Sequence, residues 1–163
     1  MKVLGIDPGI AITGVAVVEE EKGKFRLLYS SAIETKAGQP TPERLLLISQ
    51  KISDIVKTQK PDIAVLETLF FNTNAKTAFS VGQARGVIVN ELARSGLQIE
   101  EYTPLQVKMA LTGYGRADKN QIQKMVSRIL GLKTDLKPDD VADGAAIALT
   151  HLFSYKMSKK FEI

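Results

Sequence analysis

Apolar residues along this chain come first in short unbroken blocks and later in a helical rhythm. Val3-Leu4-Gly5-Ile6 is one block without a polar side chain, and Ile63-Ala64-Val65-Leu66 is another. Blocks of this kind predict strands covered on both faces. Thr13 to Val18 alternates weakly and runs into Glu19-Glu20-Glu21. After the turn Lys22-Gly23-Lys24, residues from Phe25 to Ile33 return as a further strand. With Pro8-Gly9 at the other reversal, the first thirty-odd residues predict an antiparallel meander. Past the break Gly38-Gln39-Pro40-Thr41-Pro42, the residues Leu45, Ile48, Ile52, Ile55 and Val56 recur at helical spacing, and Pro61 marks the exit. Helical stretches are predicted again over about 77–94, 104–111, 119–130 and 139–157, with a last strand at 97–102. Gly113, Gly115 and Gly131 punctuate them.

This order predicts an α/β fold whose mixed five-stranded sheet joins a meander to parallel crossovers, flanked by helices. No internal repeat or long linker divides the chain, so 1–163 is expected to form a single domain. Right-handed crossovers lay the strand after a helix beside the first strand. The ends of the strands at 3–7 and 63–67 can then be neighbours.

That juxtaposition changes the meaning of four acids. Asp7 ends the first block, Glu67 ends the second, and Asp140 and Asp143 open the last helix three positions apart, on one face. The plain readings are a turn at Asp7-Pro8-Gly9, a strand-end charge at Glu67 and helix capping at Asp139 and Asp140. Asp143 lies beyond any cap among Ala142, Gly144, Ala145 and Ala146, small residues that let a helix pack closely on a sheet. Gathered acids repel by roughly 4 kcal/mol per pair at ~4 Å and an effective dielectric near 20. A pocket of four therefore calls for protons or cations. Magnesium suits oxygen ligands, and paired divalent ions serve phosphodiester hydrolysis.

Composition narrows the class. The chain carries 44% hydrophobic and 25% charged residues, a globular profile, and has no cysteine, which excludes disulfides and thiolate metal sites. No apolar run approaches the roughly 18 residues of a spanning helix. Met1-Lys2 leads straight into a strand, without the pattern of a signal peptide, so a cytoplasmic location and no membrane partner are expected. The net charge of +4 is modest, but withdrawing four acids into a metal site leaves a more basic surface, as a phosphate-backbone binder needs.

Taken in order, Gly5-Ile6-Asp7-Pro8-Gly9, Thr13-Gly14, Glu67, Gly82-Gln83-Ala84-Arg85-Gly86, Gln106-Val107-Lys108, Gly113, Lys119 and Asp140-Val141-Ala142-Asp143 resemble the RuvC family of bacterial Holliday-junction resolvases over essentially the whole chain. The resemblance implies a ribonuclease H-like fold, a homodimer, and metal-dependent paired nicking of four-way junction DNA in recombination and repair. It implies magnesium, two ions per site with manganese as a substitute, and partnership with the RuvA–RuvB branch-migration machinery. It also implies that Asp7, Glu67, Asp140 and Asp143 are the catalytic, metal-binding acids, selecting Asp140 over Asp139. Ile10 and Ala11 depart from relatives that carry Ser and a basic residue there.

Lys108, Arg116, Lys119 and Lys124 flank Gly113-Tyr114-Gly115 and are candidates for contacts to the DNA backbone. Phe70, with Phe71 beside it, is a candidate to stack on or wedge against a base, although core packing is the plain alternative. The small-residue stretch Ala75, Ala78, Gly82, Ala84 and Gly86 suits either a dimer seam or packing within the chain. Arg85 is assigned to packing or the dimer seam, and His151, late in the last helix, to no chemistry. Competing functions are another ribonuclease H-like nuclease acting on structured RNA, a non-catalytic junction binder, and an actin-like ATPase. The last needs two related domains, and the chain has neither the length nor the repeat.

Overall fold

The structure, a computed structural model, describes residues 1–68 and 75–161, and the side chains of 1–68 and 78–156. Its elements run β1 (Lys2–Asp7), β2 (Ile12–Glu21), β3 (Lys24–Glu34), α1 (Thr41–Gln59), β4 (Ile63–Glu67), α2 (Ala75–Arg94), β5 (Ile99–Tyr102), α3 (Pro104–Thr112), α4 (Lys119–Ile129) and α5 (Asp139–Phe161). The five strands form one sheet in the order β3-β2-β1-β4-β5. β1, β2 and β3 are antiparallel, whereas β4 runs parallel to β1 and β5 parallel to β4. The meander and the crossover strands are as the sequence leads one to expect.

Local chemistry sets the boundaries. Lys22 and Gly23 both have positive φ (51° and 85°), which fits the tight hairpin joining β2 to β3. β5 begins two residues later than the apolar pattern suggests. The Leu97 N–H closes the end of α2 by donating to the Leu92 carbonyl, after Gly96 at φ 73°, so Leu97 belongs to the helix terminus.

Each face of the sheet buries its own core. α1 and α2 cover one face, where Leu4, Ile6, Val15, Val17, Ala64 and Leu66 meet Ile48, Ile52, Ala84, Ile88 and Leu92. α3, α4 and α5 cover the other, where Val3, Ala16, Val18, Ile63 and Val65 meet Val107, Val126, Ile147, Leu149 and Leu152. Burial on both sides explains why the central strands read as unbroken apolar blocks.

α5 is the element that positions the site. A Cβ on Gly5 would collide with the Gly144 carbonyl, and one on Gly14 with the Asp140 carbonyl. The helix backbone therefore lies directly on β1 and β2, an approach only glycine permits. Among the described residues, no helix is long and apolar enough to cross a membrane.

Candidate active site

Alternation along the strands decides where the acids point, because successive side chains face opposite sides of a sheet. Val3 and Gly5 of β1 face α5, so Asp7 does too; Ile63 and Val65 of β4 share that face, and Glu67 follows them. Ile6 pairs with Leu66 in parallel register, so the next residues on each strand, Asp7 and Glu67, are adjacent. From above, the first turn of α5 brings Asp140 down beside Gly14, and Asp143 follows one turn along the same face.

The carboxylates feel one another. Burial raises the Asp7 carboxyl from 3.8 to about 7, helped by the charges of Asp143, Glu67 and Asp140. Burial also pushes up Glu67 and Asp143, each with added repulsion from an acid of the cluster. Asp140 raises both Asp7 and Asp143, and Asp139 also raises Asp143. Asp139 turns instead toward Lys137, whose Nζ lies 3.2 Å from its Oδ1. The two adjacent aspartates thus have different surroundings, and Asp140 is the one that faces the strand ends.

Two lysines complete the cleft. Lys119 Nζ lies 3.0 Å from Asp143 Oδ2 and 3.8 Å from Asp139 Oδ2. Burial disfavours its charge, but the hydrogen bond to Asp143 and the surrounding acids outweigh this and lift the ammonium above its usual range. Lys119 is the first residue of α4, where the helix dipole is unfavourable to a cation. A capping box holds that end: Asp118 accepts from the Gln121 N–H at 2.8 Å, and Gln121 accepts from the Asp118 N–H at 2.9 Å. Glu67, Lys108, Lys119, Asp143, Val107 and Ile122 line a cleft of about 200 Å³. Lys108 lowers the charge burden on Glu67, as Lys119 does.

The donor set fits a hard divalent cation in chemistry, being made of carboxylates alone, mutually repelling and partly buried. Among the described residues, however, no three acidic or histidine groups converge into a ready-made metal shell. Lys119 holds Asp143 in that arrangement.

Other residues singled out by the sequence fall elsewhere. Arg116 is exposed and does not line the cleft. Lys124 belongs to a separate groove with Tyr114, Met125 and Arg128. Phe70 and Phe71 lie outside the described residues. Arg85 forms an ion pair with Glu101 of β5. His151 Nδ1 lies 3.1 Å from the Tyr102 hydroxyl, and neither is a source of the shifts in the acids. On α2, Gly82 and Gly86 face open space and Phe79 is 70% exposed, whereas Ala84 is fully buried. Among the described residues the stretch therefore has two faces, one packed inward and one bare.

Sequence reasoning missed the partnership of Asp139 with Lys119 and the cap beneath it. The Asp-x-x-Gln spacing from Asp118 to Gln121 was the available signal, since it fixes the start of α4 and hence the place of Lys119.

The family model for crossover junction endodeoxyribonuclease RuvC matches residues 3–151. The chain is 49% identical over 155 residues to the crossover junction endodeoxyribonuclease RuvC of Caldicellulosiruptor saccharolyticus, covering 94% of this chain and 93% of that protein. It is 51% identical over 151 residues to the protein of the same name from Brevibacillus brevis, with 93% and 91% covered. Among solved structures, Thermus thermophilus RuvC in complex with Holliday junction substrate superposes with a TM-score of 0.93 at 37% identity, covering 97% of this chain and 96% of that one.

Proposed function

The chain belongs to the RuvC family, and from that premise we propose that it is a crossover junction endodeoxyribonuclease that resolves four-way DNA junctions in recombination and repair. It nicks two opposed strands by hydrolysis. The observation that carries the reading is that Asp7, buried at the end of β1, also feels the charges of Asp143, Glu67 and Asp140, so that its carboxyl rises to about 7.

Asp7, Glu67, Asp140 and Asp143 would hold magnesium, with manganese as a substitute, and two ions would balance four carboxylates in charge. Such ions, when bound, supply water activation and stabilise the leaving oxygen of an in-line phosphodiester displacement. The chain's own residues do the rest. Asp7 holds a proton near neutrality and releases it as the site loads, so loading strengthens with rising pH. Lys108 and Lys119, on the walls of the cleft, position the scissile phosphate and offset its developing charge. The attacking water oxygen bonds to phosphorus as one P–O ester bond breaks, and the nick is ligatable. Arg116, exposed and outside the cleft, and Phe70 are assigned to contacts with the junction.

Residues 1–163 act as one nuclease domain, since both cores share a single sheet. The working form is a homodimer, because two symmetric strands require two sites. The bare face of α2, with Phe79, Gly82 and Gly86, is the surface assigned to the seam. Family membership supports the cytoplasm as the place of action and RuvA–RuvB as the branch-migration partner.

Incubation of a synthetic four-way junction with magnesium tests this reading, with cut positions mapped on all strands. Paired nicks at symmetric positions are expected, and none in chelator. Equal cleavage of linear duplex or of structured RNA would refute junction selectivity and favour a broader ribonuclease H-like nuclease.

A further inference from the structure

Lys119 is the cation already inside the acidic cluster. Its ammonium is 3.0 Å from Asp143 and 3.8 Å from Asp139, and it offsets charge on Asp7 and Glu67 as well. It stands at the first position of a helix, where a positive side chain is out of place unless acids balance it. The side chain is 55% exposed and that of Asp143 is 26% exposed. Ion pairs this open to solvent are weak, so the contact can be exchanged.

We propose that Lys119 is an internal counterion that occupies Asp143 before a divalent cation does and is displaced when that cation binds. The inference rests on the reading of the acidic cluster as a cation site. Asp139 gives the displaced amine a second acceptor, which keeps it at the mouth of the cleft. Loading of the site and presentation of a free ammonium to DNA phosphate thereby become one event. The adjacent Asp139, 3.8 Å from the Lys119 ammonium, acquires a role as its positioning residue.

The test is manganese binding to the full-length, DNA-free protein, read as loss of the free-ion signal in electron paramagnetic resonance. Lys119→Met is expected to bind manganese on the order of three- to tenfold more tightly than wild type. Lys108→Met removes a charge from the same cleft without breaking an ion pair to Asp143, and it is expected to change affinity less. In wild type, magnesium is also expected to shift the side-chain amine resonance of Lys119 in nitrogen-15 spectra. A Lys119→Met protein that binds manganese no more tightly than wild type, or no more tightly than Lys108→Met, overturns the exchange. So does an amine resonance that stays in place as the site saturates. Absence of manganese binding in every variant overturns the cation-site reading itself, and is thereby distinguishable from failure of the exchange alone.

Discussion

Replacing Asp7 with Asn should abolish junction cleavage and, in chelator, make the protein more stable. The carboxyl rises from 3.8 to about 7 on folding. A group whose folded value lies above its unfolded value contributes stability that is intact below the unfolded value and lost as pH rises through the folded one. For Asp7 the window runs from about pH 4 to just above pH 7. The gap between 3.8 and about 7, at ~1.36 kcal/mol for each pH unit, sets an upper bound of about 4 kcal/mol at pH 8. Asn keeps the shape and removes the charge, so relaxation around the remaining acids leaves an expected gain of about 2–4 kcal/mol at pH 8 and little difference near pH 4. Urea unfolding of both proteins in chelator, repeated across that range, measures it. Magnesium added at pH 8 should close much of the gap by stabilising wild type alone. Stability curves that run parallel between pH 5 and 8 would show that folding does not raise the Asp7 carboxyl. An Asn variant less stable than wild type at pH 8 would reverse the sign of the whole account.

Three further outcomes are expected. Gly14→Ala places a methyl group against the Asp140 carbonyl, so α5 must shift; a loss of roughly 3 kcal/mol or more in thermal or denaturant unfolding should accompany loss of cleavage. Asp118→Ala removes the cap beneath Lys119 and should cost about 1 kcal/mol of stability. It should also reduce cleavage more than that loss alone explains, which a comparison of rates at temperatures where both proteins are folded would reveal. Phe79→Glu puts a charge on the bare face of α2; sedimentation should show a shift toward monomer with an unchanged melting temperature at low concentration.

The parts of the site that were legible from sequence are those fixed by strand chemistry. Unbroken apolar blocks identify β1 and β4, and the crossover rule makes them neighbours, so Asp7 and Glu67 pair on sequence grounds alone. Small residues around Asp143 likewise announced the close docking of α5. Asp140 and Asp139 could not be separated by spacing, because adjacent residues at a helix start differ only in which way the helix is turned. The turn is set by the contact of the Asp140 carbonyl with Gly14, a long-range contact that local pattern does not encode. The basic residues read as one cluster around Gly113. Folding divides them, sending Lys108 and Lys119 to the acids and Lys124 to another groove, because Lys119 and Lys124 point to different sides of the same helix, α4.

The meeting of α5 with β1 and β2 through Gly5, Gly14 and Gly144 has a consequence for tolerance. Where layers are separated by side chains, each substitution resets the spacing, and a site spanning the layers inherits the error. Here the main chains touch, and the span from the sheet acids to the helix acids is set by peptide groups whose dimensions do not vary with sequence. The apolar core around them can drift, trading isoleucine for valine or leucine, without retuning the carboxylate separations. The glycines act as a gauge block: three positions with no side chain hold the tolerance for the chemistry, and the rest of the interior is free to change.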